Sequence, residues 1–249
     1  MASETWDPCA ELVVVPGFIS GEFNITESDP ESGSGSATLA STHGCSRDKA
    51  QTPRGPVDIP RGVCIVSPNE DFGYSYGGQK AKRAKASARE LDLMDKMNKG
   101  VERITGVSDS INALLKNHYR DENDSVSEHQ DNEQELTGGL VAAVSIGEKR
   151  QLVFRPALSK KFMTKHSITR TDDAPVCMEG RMYVTVVYNK RKYRVIQKPF
   201  KWTDPTKCLW IMKGKEFQTL LTHEVPKSKI KGLKGRISFT GRKHNKETQ

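Results

Sequence analysis

Residues 182–188 read Met-Tyr-Val-Thr-Val-Val-Tyr, and after Asn189-Lys-Arg-Lys192 the chain returns as Tyr193-Arg-Val-Ile-Gln-Lys198. β-Branched and aromatic residues packed this densely around a polar turn commit the segment to a β-hairpin. Pro199 ends or kinks the second strand, Phe200-Lys-Trp202 continues extended, and Asp204-Pro205 turns the chain into a third apolar strand, Cys208-Leu-Trp-Ile-Met212. Upstream, Leu140–Ile146 and Leu152–Phe154 form a strand pair around a Gly-Glu-Lys turn, and downstream Phe217, Leu220 and Leu221 recur at helical spacing. The expected fold is α+β: a disordered N-terminal third, a short central coiled-coil helix, and a C-terminal curved antiparallel sheet with one packed helix.

Charge divides the chain in the same places. Lys and Arg number 4 against 11 Asp and Glu in residues 1–77, 10 against 5 in 78–120, none against 7 in 121–135, and 25 against 8 in 136–249. A basic excess that large in the C-terminal part attracts polyanions and loses that attraction in salt. The divisions expected are an acidic tail over 1–77, a helical segment with a basic start over 78–120, an acidic linker over 121–136, a β-rich basic module over 137–225 and a basic tail over 226–249.

The tail is rich in Ser, Gly, Pro, Asp and Glu, and too poor in apolar residues to offset the entropy of ordering. Its two apolar islands, Leu12–Ile19 and Val63–Val66, read as docking motifs for a protein partner. Met94, Met97, Val101, Ile104, Ile111 and Leu115 alternate by three and four, the spacing of a coiled-coil seam, which predicts a homo-oligomer. Gly100 and Gly106 weaken that helix. Lys80, Lys82, Arg83 and Lys85 form a basic run suited to nuclear import or to contact with phosphates. No stretch of eighteen apolar residues and no signal peptide is present, and five scattered cysteines outside any C-x-x-C pair fit neither a disulfide framework nor a zinc ribbon. The location expected is intracellular and nuclear, without membrane contact.

Bases and aromatics interleave on the C-terminal strands. Arg181, Lys190, Arg191, Lys192, Arg194, Lys198, Lys201 and Lys207 supply cations to track phosphates, and Tyr188, Tyr193 and Trp202 supply rings to stack on bases. The function expected is non-enzymatic binding of single-stranded DNA or RNA, with no cofactor. The order of elements from Tyr183 to Leu221 resembles the DNA-binding domain of the transcriptional positive cofactor four family. The resemblance is carried by Val184-Thr-Val186, Tyr188 with Lys190 and Lys192, Val195–Phe200, Pro205-Thr-Lys207, Leu209–Met212 and Phe217. It implies a dimer whose curved sheets face a single strand, with roles for Arg181, Lys192, Arg194, Lys198 and Lys207. The whole-chain layout is similar to a second class, the oligomeric phosphoproteins by which negative-strand RNA viruses tether a polymerase.

Enzymatic signatures do not stand out. The chain has no Walker loop, no G-x-S-x-G elbow and no H-E-x-x-H, and its six histidines look isolated, with His223 read as a favourable charge at a helix end. Asp172-Asp173 is the only acidic pair of the module, leaving a metal-dependent nuclease as a remote alternative.

Overall fold

The computed structural model describes residues 12–19, 45–47, 49–52, 55–68, 83–131, 139–178, 180–203 and 206–244, with the short pairs 5–6, 25–26, 40–41, 75–76 and 79–80. The strands that build the molecule are β1 (Leu12–Val15), β2 (Lys49–Thr52), β3 (Gly55–Asp58), β4 (Gly62–Ser67), β5 (Arg83–Lys85), β6 (Ala113–Tyr119), β7 (Val126–His129), β8 (Val141–Gly147) and β9 (Gln151–Pro156). They continue with β10 (Thr169–Arg170), β11 (Val176–Met178), β12 (Arg181–Tyr188), β13 (Arg191–Ile196), β14 (Phe200–Thr203), β15 (Leu209–Met212), β16 (Leu221–Val225) and β17 (Arg236–Arg242). Helices α1 (Ala88–Thr105), α2 (Lys160–Lys165) and α3 (Lys215–Leu220) interrupt them.

A major sheet runs β5-β4-β6-β17-β8-β15-β1, and a minor sheet runs β7-β16-β9-β14. Strict alternation gives the major sheet two buried faces. Leu114, Ala142, Val144, Ile146, Leu209, Ile211, Ile237 and Phe239 point to α1, whose Leu93, Met94, Met97 and Val101 complete that core. The alternate residues Tyr119, Val141, Ala143, Trp210 and Met212 point to the minor sheet, where Leu152, Phe154, Leu221 and Val225 meet them. Two facing sheets, antiparallel but for the parallel edge pair β5–β4, with a helix on one outer face make a jelly-roll. The hairpin β12–β13 belongs to a third sheet, with β10 and β11 pairing β12, and its turn carries Asn189 and Lys190 at φ 48° and 63°, the left-handed pair that a two-residue hairpin demands.

This architecture overturns the α+β expectation. The hairpin is there, but in a third sheet of its own, and the strands read at 140–146, 152–154 and 208–212 are β8, β9 and β15, while β1, β4, β6, β7 and β17 come from stretches read as tail, helix or linker. Both N-terminal apolar islands are strands of the major sheet: β1 pairs with β15, and β4 pairs with β6. The basic tail supplies β17, a central strand with every residue buried, and the acidic linker supplies β7. Part of the basic run, Arg83 and Lys85, is strand β5; Lys80 sits in a short pairing, and Lys82 lies outside the described residues.

The coiled coil is also corrected. Ser87 starts α1 through a reciprocal capping box with Glu90, and Gly106 ends it at φ 71°, its N–H donating to Glu102. Met94, Met97 and Val101 are buried against the molecule's own sheet, with Ile104 packed at its margin. Ile111 and Leu115 lie past the helix end, Leu115 inside β6. Their spacing continued the seam across a helix stop. Gly100 is an asset here, because a Cβ at that position would stand 2.8 Å from both Leu209 Cδ2 and Phe18 Cε2. Among the described residues no helix is long and apolar enough to cross a membrane.

Candidate active site

Two strands of the minor sheet bring the site together. His129 on β7 and His223 on β16 are cross-strand partners, with ring centroids 4.2 Å apart. Asp131 follows two residues after His129, so the chain leaving the strand end turns its carboxylate in between. The Nε2 of His129 lies 3.6 Å from one carboxylate oxygen, and the Nε2 of His223 lies 3.5 Å from the other. One donor atom from each of the three residues falls within 4.8 Å of the others.

Burial and charge prepare these groups as ligands. Desolvation pulls the His223 imidazole down to about 3, reinforced by His129 and Arg242, so it is neutral at pH 7 with a lone pair to give. Burial alone would raise Asp131, yet the Arg242 guanidinium and the two imidazoles hold it at about 2. Arg242 donates directly to Asp131 and fixes its orientation. His129 Nδ1 stands 2.9 Å from the Ser127 carbonyl oxygen; donation there places the proton on Nδ1 and leaves Nε2 to face the carboxylate.

The triad opens on a cavity of about 620 Å³ between the sheets. Its floor is the polar face of β17, where Arg236, Ser238, Thr240 and Arg242 alternate with the apolar residues under α1. Arg236, 1% exposed, donates to Ser145 Oγ at 2.7 Å and lies against the Tyr119 ring, 5.1 Å from its centroid. Arg61 donates to Asn117 Oδ1 at 2.7 Å on the neighbouring strand. Gly241 has no side chain because a Cβ would meet Ile111 at 2.8 Å, which lets β17 lie close under the helix. Trp210 also lines the cavity, and its buried indole N–H has no acceptor among the described residues.

Two imidazoles and one carboxylate form the facial set that suits non-haem Fe(II) and leaves coordination positions open. Two guanidinium groups buried in the same cavity suit an anionic co-substrate bearing carboxylates. The donor set and its surroundings therefore fit both groups.

None of the eleven residues expected to bind nucleic acid lines this cavity, although Trp202 touches Trp210, which does. Arg181 stacks over Phe200 at 4.4 Å, Lys192 pairs with Asp173 at 3.3 Å, and Arg194 donates to Met178 sulfur. Tyr193 is buried with its hydroxyl 3.4 Å from Glu216, Tyr188 packs beside it, and Trp202 meets Trp210 edge-on at 5.8 Å. Lys190, Arg191, Lys198 and Lys201 are exposed on the hairpin and β14, and Lys207 is held by backbone bonds to Ser145 and Ile19. The residues missed were those of the cavity: the H-x-D of 129–131, His223, and the R-x-S-x-T-x-R alternation of β17.

No curated protein resembles the chain closely enough to count as a match. Among solved structures, that of OsALKBH1 superposes with a TM-score of 0.49 at 13% identity, covering 94% of this chain and 98% of that one. A family model described as the 2OG-Fe(II) oxygenase superfamily matches residues 37–242, the span that holds the metal triad and both buried arginines. That match overturns the likeness to the positive cofactor four family, the viral phosphoprotein alternative and the expectation of a non-enzymatic binder. The chain belongs to the 2OG-Fe(II) oxygenase superfamily.

Proposed function

We propose that this chain is an Fe(II)- and 2-oxoglutarate-dependent oxygenase that acts on a nucleic acid. The observation that carries the reading is the convergence of His129, Asp131 and His223 on one wall of a cavity whose floor bears Arg236 and Arg242. Bound Fe(II) supplies the centre at which dioxygen is reduced at the expense of 2-oxoglutarate, yielding succinate, carbon dioxide and an oxygenated substrate.

The chain's own residues prepare that reaction. His223 presents a neutral nitrogen beside the Nε2 of His129, and Asp131 supplies the negative charge. Arg242 acts through Asp131, holding the carboxylate so that one rotamer is ready for the metal. Arg236 is braced by Ser145 and by the Tyr119 ring, a rigid fork suited to a remote carboxylate of the co-substrate. The Trp210 N–H offers a further donor to an oxygen in the cavity. Leu115, Leu152 and Val225 line the walls and keep water from the reacting groups.

Charge supports the choice of nucleic acid. The 25 bases against 8 acids of residues 136–249 include exposed Arg181, Lys190, Arg191, Lys198 and Lys201 on the hairpin sheet and β14. These cations would follow a phosphate backbone while the cavity takes one base or its modification. Succinate release from 2-oxoglutarate, measured with Fe(II), air and either methylated oligonucleotides or basic peptides, tests both parts. Oligonucleotides should stimulate turnover, and Lys190→Glu with Arg191→Glu should raise KM for them while leaving turnover without substrate unchanged. Absence of any Fe(II)-dependent succinate sinks the oxygenase reading; stimulation by peptides alone sinks the nucleic acid.

A further inference from the structure

Two thiols stand face to face at the edge of the core under α1. Ser46 and Val63 exchange both backbone hydrogen bonds, at 3.3 and 2.9 Å. The adjoining pair, Cys45 and Cys64, is therefore of the non-hydrogen-bonded kind, whose Cα atoms stand about 4.5 Å apart in antiparallel strands. That separation is inside the range of about 4.4–6.8 Å that a disulfide spans. The sulfurs are already 3.2 Å apart. Forming a bond needs them to close by only about 1 Å, with no backbone segment to carry across.

The surroundings give the two sulfurs different parts. Cys64 is buried in β4, and its hydrogen bond to Cys45 together with burial pushes its thiol well above the ordinary range. It keeps its proton, and its hydrogen-bond partner Cys45 is half-buried and reachable from solvent. On the next strand Lys116 is the register partner of Cys64, and its ammonium favours negative charge on either sulfur. Cys177 is exposed on β11 and Cys208 is buried just ahead of β15, so neither adjoins this pair.

The position within the chain matters as much as the distance. Between Cys45 and Cys64 run β2, β3 and residues 57–61, and Val57, Asp58, Ile59, Pro60 and Arg61 form one wall of the cavity. Arg61 is the residue that reaches Asn117 on the cavity floor, and Arg47, two residues after Cys45, pairs with Asp124 beside it. The two cysteines thus bracket a loop whose far part touches the reacting space.

We propose that Cys45 and Cys64 form a reversible dithiol–disulfide site oxidised by hydrogen peroxide, and that its closure staples the segment forming this wall of the cavity. Cys45 sulfur attacks one peroxide oxygen; the S–O bond forms, the O–O bond breaks, and the departing hydroxide takes a proton to leave as water. Cys64 sulfur then attacks the sulfenic sulfur of Cys45, the S–S bond forms, and the Cys64 proton leaves with the second oxygen as water. Two thiols lose two electrons and one peroxide gains them, and a dithiol reductant reverses the change.

The full chain, treated with peroxide and quenched with N-ethylmaleimide, should yield after non-reducing digestion a peptide pair joined through Cys45 and Cys64. It should be two hydrogens lighter than the separate peptides and should be split by dithiothreitol. In the same sample, amide exchange across residues 55–61 should slow by about tenfold relative to the reduced chain. Cys64→Ser should leave Cys45 as a sulfenic acid that dimedone traps. Alkylation of both Cys45 and Cys64 at peroxide doses that already consume exposed Cys177 overturns the site. A disulfide that leaves exchange across 55–61 unchanged overturns the staple. Both readouts are made on the wild-type chain, so they stand even if the serine variant does not fold.

Discussion

Removing one partner of the buried pair Glu90–Lys116 should destabilise the chain far more than removing both. The ammonium and the carboxylate meet at 2.7 Å between α1 and β6, with 5% exposure at Glu90 and 1% at Lys116. Lys116→Met keeps most of the stem's volume but strands a carboxylate where water does not reach, at a cost of about 3–5 kcal/mol. At about 2–4 °C per kcal/mol for a chain of this size, the midpoint of melting should fall by roughly 6–20 °C. Glu90→Gln with Lys116→Met leaves no charge to desolvate. The amide oxygen introduced by Glu90→Gln can still accept from the Ser87 N–H, as the Glu90 carboxylate does at 2.9 Å, so the capping box survives. The double variant should therefore stand within about 1 kcal/mol of wild type. Urea unfolding of the four proteins of the cycle, under dithiothreitol to hold Cys45 and Cys64 reduced, gives the coupling directly. If Lys116→Met costs under about 1 kcal/mol, or the double variant is no better than the single, the burial of this pair is not what fixes α1 on the sheet.

Four further outcomes follow from the site and its packing. His129→Ala should abolish the rise in melting temperature that Fe(II) produces in wild type, about 5–10 °C at a hundredfold excess over Kd, as scanning fluorimetry without oxygen would read. Arg236→Met should weaken 2-oxoglutarate by about 3 kcal/mol, roughly a hundredfold in a calorimetric titration against the Mn(II)-loaded protein, with Arg236→Lys falling between. Burial and the Arg242 cation push His244 from 6.5 down to about 4, so its contribution to stability is complete above pH 6.5 and drains as pH falls toward 4. The metal-free chain should lose about 2 kcal/mol from this residue between pH 7 and 5, and His244→Asn should show that much less pH dependence in urea titrations. Gly241→Ala should cost about 1–3 kcal/mol by forcing Ile111 and Met97 aside, and Ile111→Val should relieve part of it.

What the sequence disclosed and what it concealed follow from where the signals lie. The hairpin of 182–196 was legible because its alternation, its aromatics and its polar turn are all local, and its strands pair with each other in the register those signals imply. The jelly-roll was not, because its strands pair across long separations: β6 sits between β4 and β17, and β8 between β17 and β15. β17 shows the difficulty in one strand. Arg236, Ser238, Thr240 and Arg242 look like a solvated basic stretch, since buried arginines are uncommon, and only the alternating Ile237 and Phe239 hinted that a sheet had taken them in. The charge count placed both arginines in a polyanion-binding tail, whereas the structure places them on the floor of a cavity, where two cations suit one small dianion. The triad was concealed in the same way. His129 and Asp131 lie in an acidic stretch that composition marks as linker, and His223 becomes their neighbour only when β7 pairs with β16. An H-x-D spacing is short enough to be read locally, but its meaning depends on a second histidine that no local pattern locates. The sequence signal that could have placed 236–242 in the fold is its strand periodicity, but such alternation ordinarily marks a half-solvated strand, and only the pairing of this strand between two others buries its polar face in a cavity.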